Sequence, residues 1–204
     1  MPQPFFAFPP GSRAITPQAA WRRRAVRRCL LPLALLVAGT AAAGESRAGP
    51  RDDARACAET VVQGGDMQRA VELCSRAIAS RQIKGEDLAP IYYNRGWAQD
   101  ELGNYDQAIE DYGRALHIRP DYAEAYVARG YSYGRIGERD RAIEDYSRAL
   151  EADPDSFEAS FNRGLAYEAK GDLERAVADY DRAFALNPEH PRLRAIMKRL
   201  LRVE

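Results

Sequence analysis

The side chains that could support chemistry are few. Two histidines, His117 and His190, and three cysteines, Cys29, Cys57 and Cys74, make up the whole stock of imidazoles and thiols. Cys57 and Cys74 lie 17 residues apart with no histidine near them, so they have neither CxxC redox spacing nor the spacing of a zinc ligand set. Two states remain for them, a structural disulfide or a pair of buried free thiols. Carboxylates abound, among them Glu110, Asp111, Glu144, Asp145 and Asp179, but they stand beside Arg114, Arg148 and Arg182 at helical spacing. Such runs predict solvated outer faces, with i, i+3 and i+4 ion pairs of about 0.2–0.5 kcal/mol each. No nucleophile–base set and no glycine-rich phosphate loop is present in the sequence. We therefore expect no catalytic residue, no metal site and no cofactor.

What positions these residues is a repeat. Residues 89–122 read APIYYNRGWAQDELGNYDQAIEDYGRALHIRPDY, and the pattern returns twice without a gap. Gly96, Gly130 and Gly164 are 34 apart, as are Ala108, Ala142 and Ala176, Tyr112, Tyr146 and Tyr180, Ala115, Ala149 and Ala183, and Pro120, Pro154 and Pro188. A period of this length with small residues at fixed offsets marks a helix–turn–helix unit that stacks on its neighbours. The second half of the unit carries Ala108, Ile109, Tyr112, Ala115 and Leu116 on one helical face, with Asp106, Glu110, Asp111 and Arg114 off it. The small column lets the two helices of a unit, A and B, approach closely, and the tyrosines fill the space between layers. Gly65-Asp66, Gly103-Asn104, Gly137-Glu138 and Gly171-Asp172 mark the A-to-B turns. The prolines end the B helices, and Asp121 and Asp155 are placed to cap the A helices that follow.

With these columns in place, the chain from about residue 51 to its C-terminus resembles the tetratricopeptide repeat family, of the kind exported by bacteria. The resemblance implies an all-α fold: a right-handed α-solenoid of helix–turn–helix repeats with a C-terminal capping helix. A divergent first repeat spans 51–88, where Ala70 and Ala77 stand 38 residues ahead of Ala108 and Ala115 and Ala58 replaces the glycine. Three regular repeats follow at 89–122, 123–156 and 157–190. Residues 191–204 form the cap, with Leu193, Ile196, Met197, Leu200 and Leu201 on one face. A basic amphipathic helix of this type also suits a membrane surface or a partner, which is the alternative to a cap.

The resemblance further implies that the A helices line a concave groove. Its inner positions are Pro90, Tyr93, Asn94, Trp97, Asp100 and Glu101, then Glu124, Val127, Ala128, Tyr131, Gly134 and Arg135, then Glu158, Phe161, Asn162, Leu165, Glu168 and Ala169. The candidate protein- or peptide-binding residues are Tyr93, Asn94, Trp97, Tyr131, Phe161, Asn162 and Leu165. Aromatic anchors are enriched at interfaces, and the two asparagines offer donors and acceptors to an extended peptide backbone. The rim is acidic, broken only by Arg135, so the basic clamp that some family members close on a terminal carboxylate is missing. Arg95, Arg129 and Arg163 recur beside the glycine column, and inter-repeat ion pairing is expected of them. In this frame Cys57 falls on helix A and Cys74 on helix B of the first repeat, in the tyrosine column. Two thiols in place of that bulk leave a void unless bonded, so a Cys57–Cys74 disulfide is expected, with buried free thiols as the alternative.

The N-terminal stretch speaks to location. Residues 1–28 are a long n-region read as disordered, with six arginines and no acid; residues 29–43 are uncharged and apolar; a polar linker covers 44–52. Fifteen apolar residues are short for a membrane span of about 20 and suit a secretory signal, with Ala41 and Ala43 at an A-x-A cleavage site. The repeats are thus expected in the periplasm, and an uncut anchor would still place them outside the cytoplasm. A lipoprotein signal is disfavoured because Cys29 opens the apolar run instead of closing it, and twin-arginine export fits poorly. Beyond residue 43 the chain has 30 acidic and 24 basic residues. That sign disfavours nucleic acid as a partner. The function expected is a protein-interaction scaffold or adaptor in the cell envelope, with a membrane-anchored assembly factor as the alternative. A membrane enters only through an uncut N-terminus, and self-association is neither implied nor excluded.

Overall fold

A computed structural model describes residues 49–200 of the 204. The n-region 1–28, the apolar segment 29–43 with its expected cut, the first part of the linker 44–52, and Leu201 lie outside the described residues. Within them the chain is helical, and the order is α1 (Pro50–Gln63), α2 (Met67–Ala79), a 3-10 turn (Gly85–Leu88), α3 (Ala89–Glu101), α4 (Tyr105–Ile118), α5 (Ala123–Arg135), α6 (Arg139–Ala152), α7 (Phe157–Ala169), α8 (Leu173–Leu186) and α9 (Pro191–Leu200). Among the described residues no helix is long and apolar enough to cross a membrane. Each helix packs on the next, and successive A helices (α1, α3, α5, α7) also touch. The result is the expected all-α repeat fold.

The A-to-B turns close as the glycines require. Gly103, Gly137 and Gly171 take φ of 80°, 88° and 82°, which an L side chain rarely adopts. In the first repeat the left-handed residue is Gly64 (φ 65°), one ahead of the Gly65-Asp66 pair, and Asp66 caps α2 by accepting from the Arg69 amide at 3.2 Å. The B helices stop at Ile118, Ala152 and Leu186, each just before its proline. Asp121 and Asp155 are not the caps they were expected to be. Tyr122 precedes α5 with no side-chain cap, and the Ser156 hydroxyl caps α7 by accepting from the Ala159 amide at 3.2 Å.

Between the layers, Tyr112, Tyr146 and Tyr180 are fully buried. Their rings lie so close to α3, α5 and α7 that a Cβ added at Gly96, Gly130 or Gly164 would stand 2.9, 2.8 and 2.8 Å from a ring carbon. The first repeat solves the same contact differently. It has Ala58 for the glycine and Cys74 for the tyrosine, and Cys74 is bonded to Cys57 across α1 and α2, as expected. Leu193 lies 34 residues after Ala159, and α9 accordingly stands where the A helix of a further repeat would stand. Leu193 and Ile196 close the end of the core over Phe161, Leu165 and Tyr180.

Candidate functional site

The inner wall is built by α3, α5 and α7. On α3, Tyr93 packs among other rings, 5.7 Å from Tyr112, 5.2 Å from Tyr122 and 6.2 Å from Trp97 between centroids. Burial pushes its phenol well above the usual tyrosine range, with Tyr122 and the nearby Glu124, Asp100 and Glu158 adding to the effect. Tyr93, Asn94, Trp97 and Tyr131 are all half-buried, each presenting part of its surface on this wall. The Tyr131 hydroxyl is bonded at 2.7 Å by Arg135, whose guanidinium also lies 4.6 Å from the Tyr105 ring centroid.

Three expected groove residues are not available. Phe161, Asn162 and Leu165 are only 4%, 6% and 5% exposed. The physical reason for two of them is α9: its apolar face covers Phe161 and Leu165, and Phe161 is further enclosed by Phe157 and His190 at 5.6 and 5.0 Å. The open part of the wall is therefore that of the second and third repeats.

At its centre sits Asp100. The Tyr112 hydroxyl donates to one carboxylate oxygen at 2.8 Å, and the Ser132 hydroxyl lies 2.7 Å from the other. Burial raises the Asp100 pKa to about 7, against the opposing pull of these two hydrogen bonds. Ser132 has one hydroxyl hydrogen but two acceptors, Asp100 and the Ala128 carbonyl at 3.1 Å. The Ser132 hydroxyl donates to Asp100 by the shorter contact, and the Ala128 carbonyl is the more distant acceptor.

The repeat places the same pair again at α7 and α8, where Tyr180 donates to Glu168 at 2.6 Å and Arg199 of α9 bonds the other Glu168 oxygen. In the third repeat the acidic position is Gly134, and the Tyr146 hydroxyl is buried without a hydrogen-bond partner. The signal for this orphan was present in the sequence, since Asp100, Gly134 and Glu168 share one column, but only the fold shows that the tyrosine hydroxyl aims at it.

Arg95, Arg129 and Arg163 form a ladder, though not the one expected. Each clasps the aspartate of its own repeat with two hydrogen bonds, Arg95 to Asp111 at 2.7 and 2.6 Å, Arg129 to Asp145 at 2.8 and 2.7 Å, and Arg163 to Asp179 at 2.8 and 2.7 Å. Asp111, Asp145 and Asp179 are therefore buried, contrary to the solvated outer face expected of them. The inter-repeat element is weaker: Arg95 reaches Ser75 and Arg163 reaches Ser147 on the preceding B helix, while Gly113 stands at that point before Arg129. Beside Arg129 an outer cavity of about 300 Å³ is lined by Tyr126, Tyr133, Arg141 and Arg148 among others. Among the described residues no cluster of His, Cys, Asp or Glu is placed to hold a metal.

Comparison with known proteins agrees with this geometry. Tetratricopeptide repeat profiles match residues 89–122 and 127–191. No curated protein matches the chain. Among solved structures it is similar to MamA, with 26% identity, 71% of this chain and 81% of that chain covered, and a TM-score of 0.62. It is similar to YrrB, described as a TPR protein with an unusual peptide-binding site, at 22% identity, 75% and 76% coverage and a TM-score of 0.64. It is also similar to the first TPR of Spaghetti (RPAP3), solved bound to an HSP90 peptide, at 24% identity, 56% and 91% coverage and a TM-score of 0.55. The hairpin repeat seen in the structure and the two profile matches converge: this chain carries tetratricopeptide repeats.

Proposed function

We propose that the chain is a protein-interaction scaffold that takes a partner protein or an extended peptide on the inner wall of its second and third repeats. The observation that carries this reading is the half-buried run Tyr93, Trp97 and Tyr131 with Asn94 beside it. Rings held in place by packing lose little freedom on binding, and so make good anchors. The likeness to YrrB and to the peptide-bound Spaghetti domain supports the same use of the fold. We place the scaffold in the cell envelope, because a short apolar segment with an A-x-A site precedes the repeats and a disulfide closes the first of them. No residue set argues for catalysis, so the reading is of a binding module and not an enzyme.

Live-cell crosslinking with mass spectrometry identifies the partner. Trp97→Ala is then expected to weaken its capture by about tenfold or more, the cost of an interface anchor of 1.4 kcal/mol upwards, with helicity unchanged. Equal capture by the variant overturns the inner-wall assignment. The mature N-terminus separates the two envelope readings: a start near Gly44 supports export, whereas an intact residue 1 supports the anchored form.

A further inference from the structure

The chemistry of the wall says more about its occupant, provided that the wall is the binding surface. Asp100, Glu124 and Glu158 all act on Tyr93, and Glu101 stands beside Asp100. Among the described residues, Arg135 is turned to the Tyr131 hydroxyl and the Tyr105 ring, and Arg192 of α9 lies over the Phe161 ring. Two further observations point to a cationic ligand group. The first is internal to the chain. Glu168, the counterpart of Asp100 two repeats on, accepts from its own tyrosine and at the same time holds the guanidinium of Arg199. There the carboxylate–tyrosine pair holds a basic side chain on its second oxygen, the one that Ser132 meets in Asp100. The second is the Tyr146 hydroxyl, fully buried and without a partner, aimed at the place where Gly134 supplies no side chain. A phenol oxygen accepts a hydrogen bond from an ammonium or guanidinium as readily as it donates one.

We propose that the segment docking on this wall is basic, and that one of its Lys or Arg side chains enters over Gly134, between the Asp100 carboxylate and the Tyr146 hydroxyl, beside the rings of Trp97 and Tyr131. The arrangement joins a charge-assisted hydrogen bond to cation–π contact, a combination that neutral or acidic segments do not satisfy. It also assigns Arg135 a role as the resident cation that an incoming one must displace. The groups facing Asp100 are Glu101 on its own helix, Tyr93, Tyr112, Tyr131 and Tyr146, and Ser132 and Arg135 on α5. Burial holds the four phenols above the usual tyrosine range and Arg135 stays cationic. A cation therefore binds more tightly as pH rises through about 7, where Asp100 ionises.

The test uses the purified full-length chain and a short capped peptide of Ala, Gln and Lys carrying a fluorophore, with counterparts in which every Lys is Gln or Glu. Anisotropy titrations are expected to rank Lys above Gln above Glu. Asp100→Asn is expected to weaken the Lys peptide about tenfold, as for the loss of one charge-assisted hydrogen bond, and to abolish its pH dependence. Tyr146→Phe, which removes only an unbonded hydroxyl, weakens it several-fold, and Arg135→Gln tightens it. Glu151→Gln on the outer face serves as the control for long-range attraction. An equal loss in that variant, or an Asp100→Asn chain that binds like the parent, overturns the proposal. If the Gln peptide binds as well as the Lys peptide and both need Trp97, the wall still binds peptides and only its preference for a basic side chain falls. If neither binding event depends on Trp97, both readings fall together.

Discussion

At the scale of single residues, three tyrosines in one column have three different fates. Tyr112 donates to Asp100, Tyr180 donates to Glu168, and Tyr146 faces Gly134 with nothing to bond. A buried hydroxyl without a partner forfeits its hydration, so its removal is cheap. Urea denaturation is expected to show Tyr146→Phe as neutral or slightly stabilising. Tyr112→Phe is expected to cost about 1–2 kcal/mol, because it strands a buried carboxylate oxygen. Similar losses in the two variants would contradict the assignment. The column itself was legible from spacing, because Gly and Tyr at a fixed period imply close helix approach. The hydrogen bonds were not, because they join positions twelve residues apart in an A and a B helix, and spacing alone does not give the direction of a hydroxyl. The same limit hid Asp111, Asp145 and Asp179. By type they belong with the surface carboxylates around them, and only the arginine brought over from the A helix makes their burial tolerable.

At the scale of elements, the terminal helix α9 explains where reading by repeat position succeeded and where it failed. Its apolar spacing marked it as a cap, and it covers the last core cluster. That covering removes Phe161 and Leu165 from the open wall, which a position-by-position transfer from earlier repeats does not foresee, because those repeats have no such end. The start of α9 depends on His190: the Leu193 amide donates to its Nδ1 at 3.2 Å, which requires that nitrogen to be unprotonated. Burial, and then the Arg192 charge, hold His190 below its ordinary value of 6.5. A group held below its unfolded value contributes stability that is complete above that value and is lost as pH falls from there through the folded value. Amide exchange at Leu193 and Ile196 should therefore speed up, after correction for intrinsic rates, as pH falls below about 6.5. The expected change is about fivefold, corresponding to the loss of an N-cap worth about 1 kcal/mol. Protection that does not change with pH, or that changes equally in His190→Gln, would rule out this dependence. Asp100 acts in the opposite sense. Its raised value means that its contribution is present at low pH and is lost as pH rises towards about 7.

At the scale of the whole molecule, the described residues form a row of hairpins held by neighbours, with α9 capping the C-terminal end. The first of the described hairpins is the divergent repeat, joined to the next by a longer connection that holds the 3-10 turn and the buried Ile83. Solenoid stability is a sum over units and their interfaces, so a unit with a described neighbour on one side only is the one to fray first. The disulfide offsets this by restricting the unfolded first hairpin, which on the chain-entropy account is worth about 3 kcal/mol for a loop of this size. Cys74→Ala is expected to split thermal unfolding into two steps, the first hairpin melting ahead of the rest, and reductant should reproduce the split in the parent. A single transition at an unchanged midpoint would show that the bond contributes nothing.

The seating of each Tyr ring against its Gly has an evolutionary corollary. A lone helix cannot be transplanted between the first hairpin and the others, because Ala58 would drive a methyl group into an incoming ring, while Cys74 would leave an incoming Gly facing a hole. Only matched two-helix cassettes are exchangeable, so duplication and shuffling of such an array must proceed in whole hairpins.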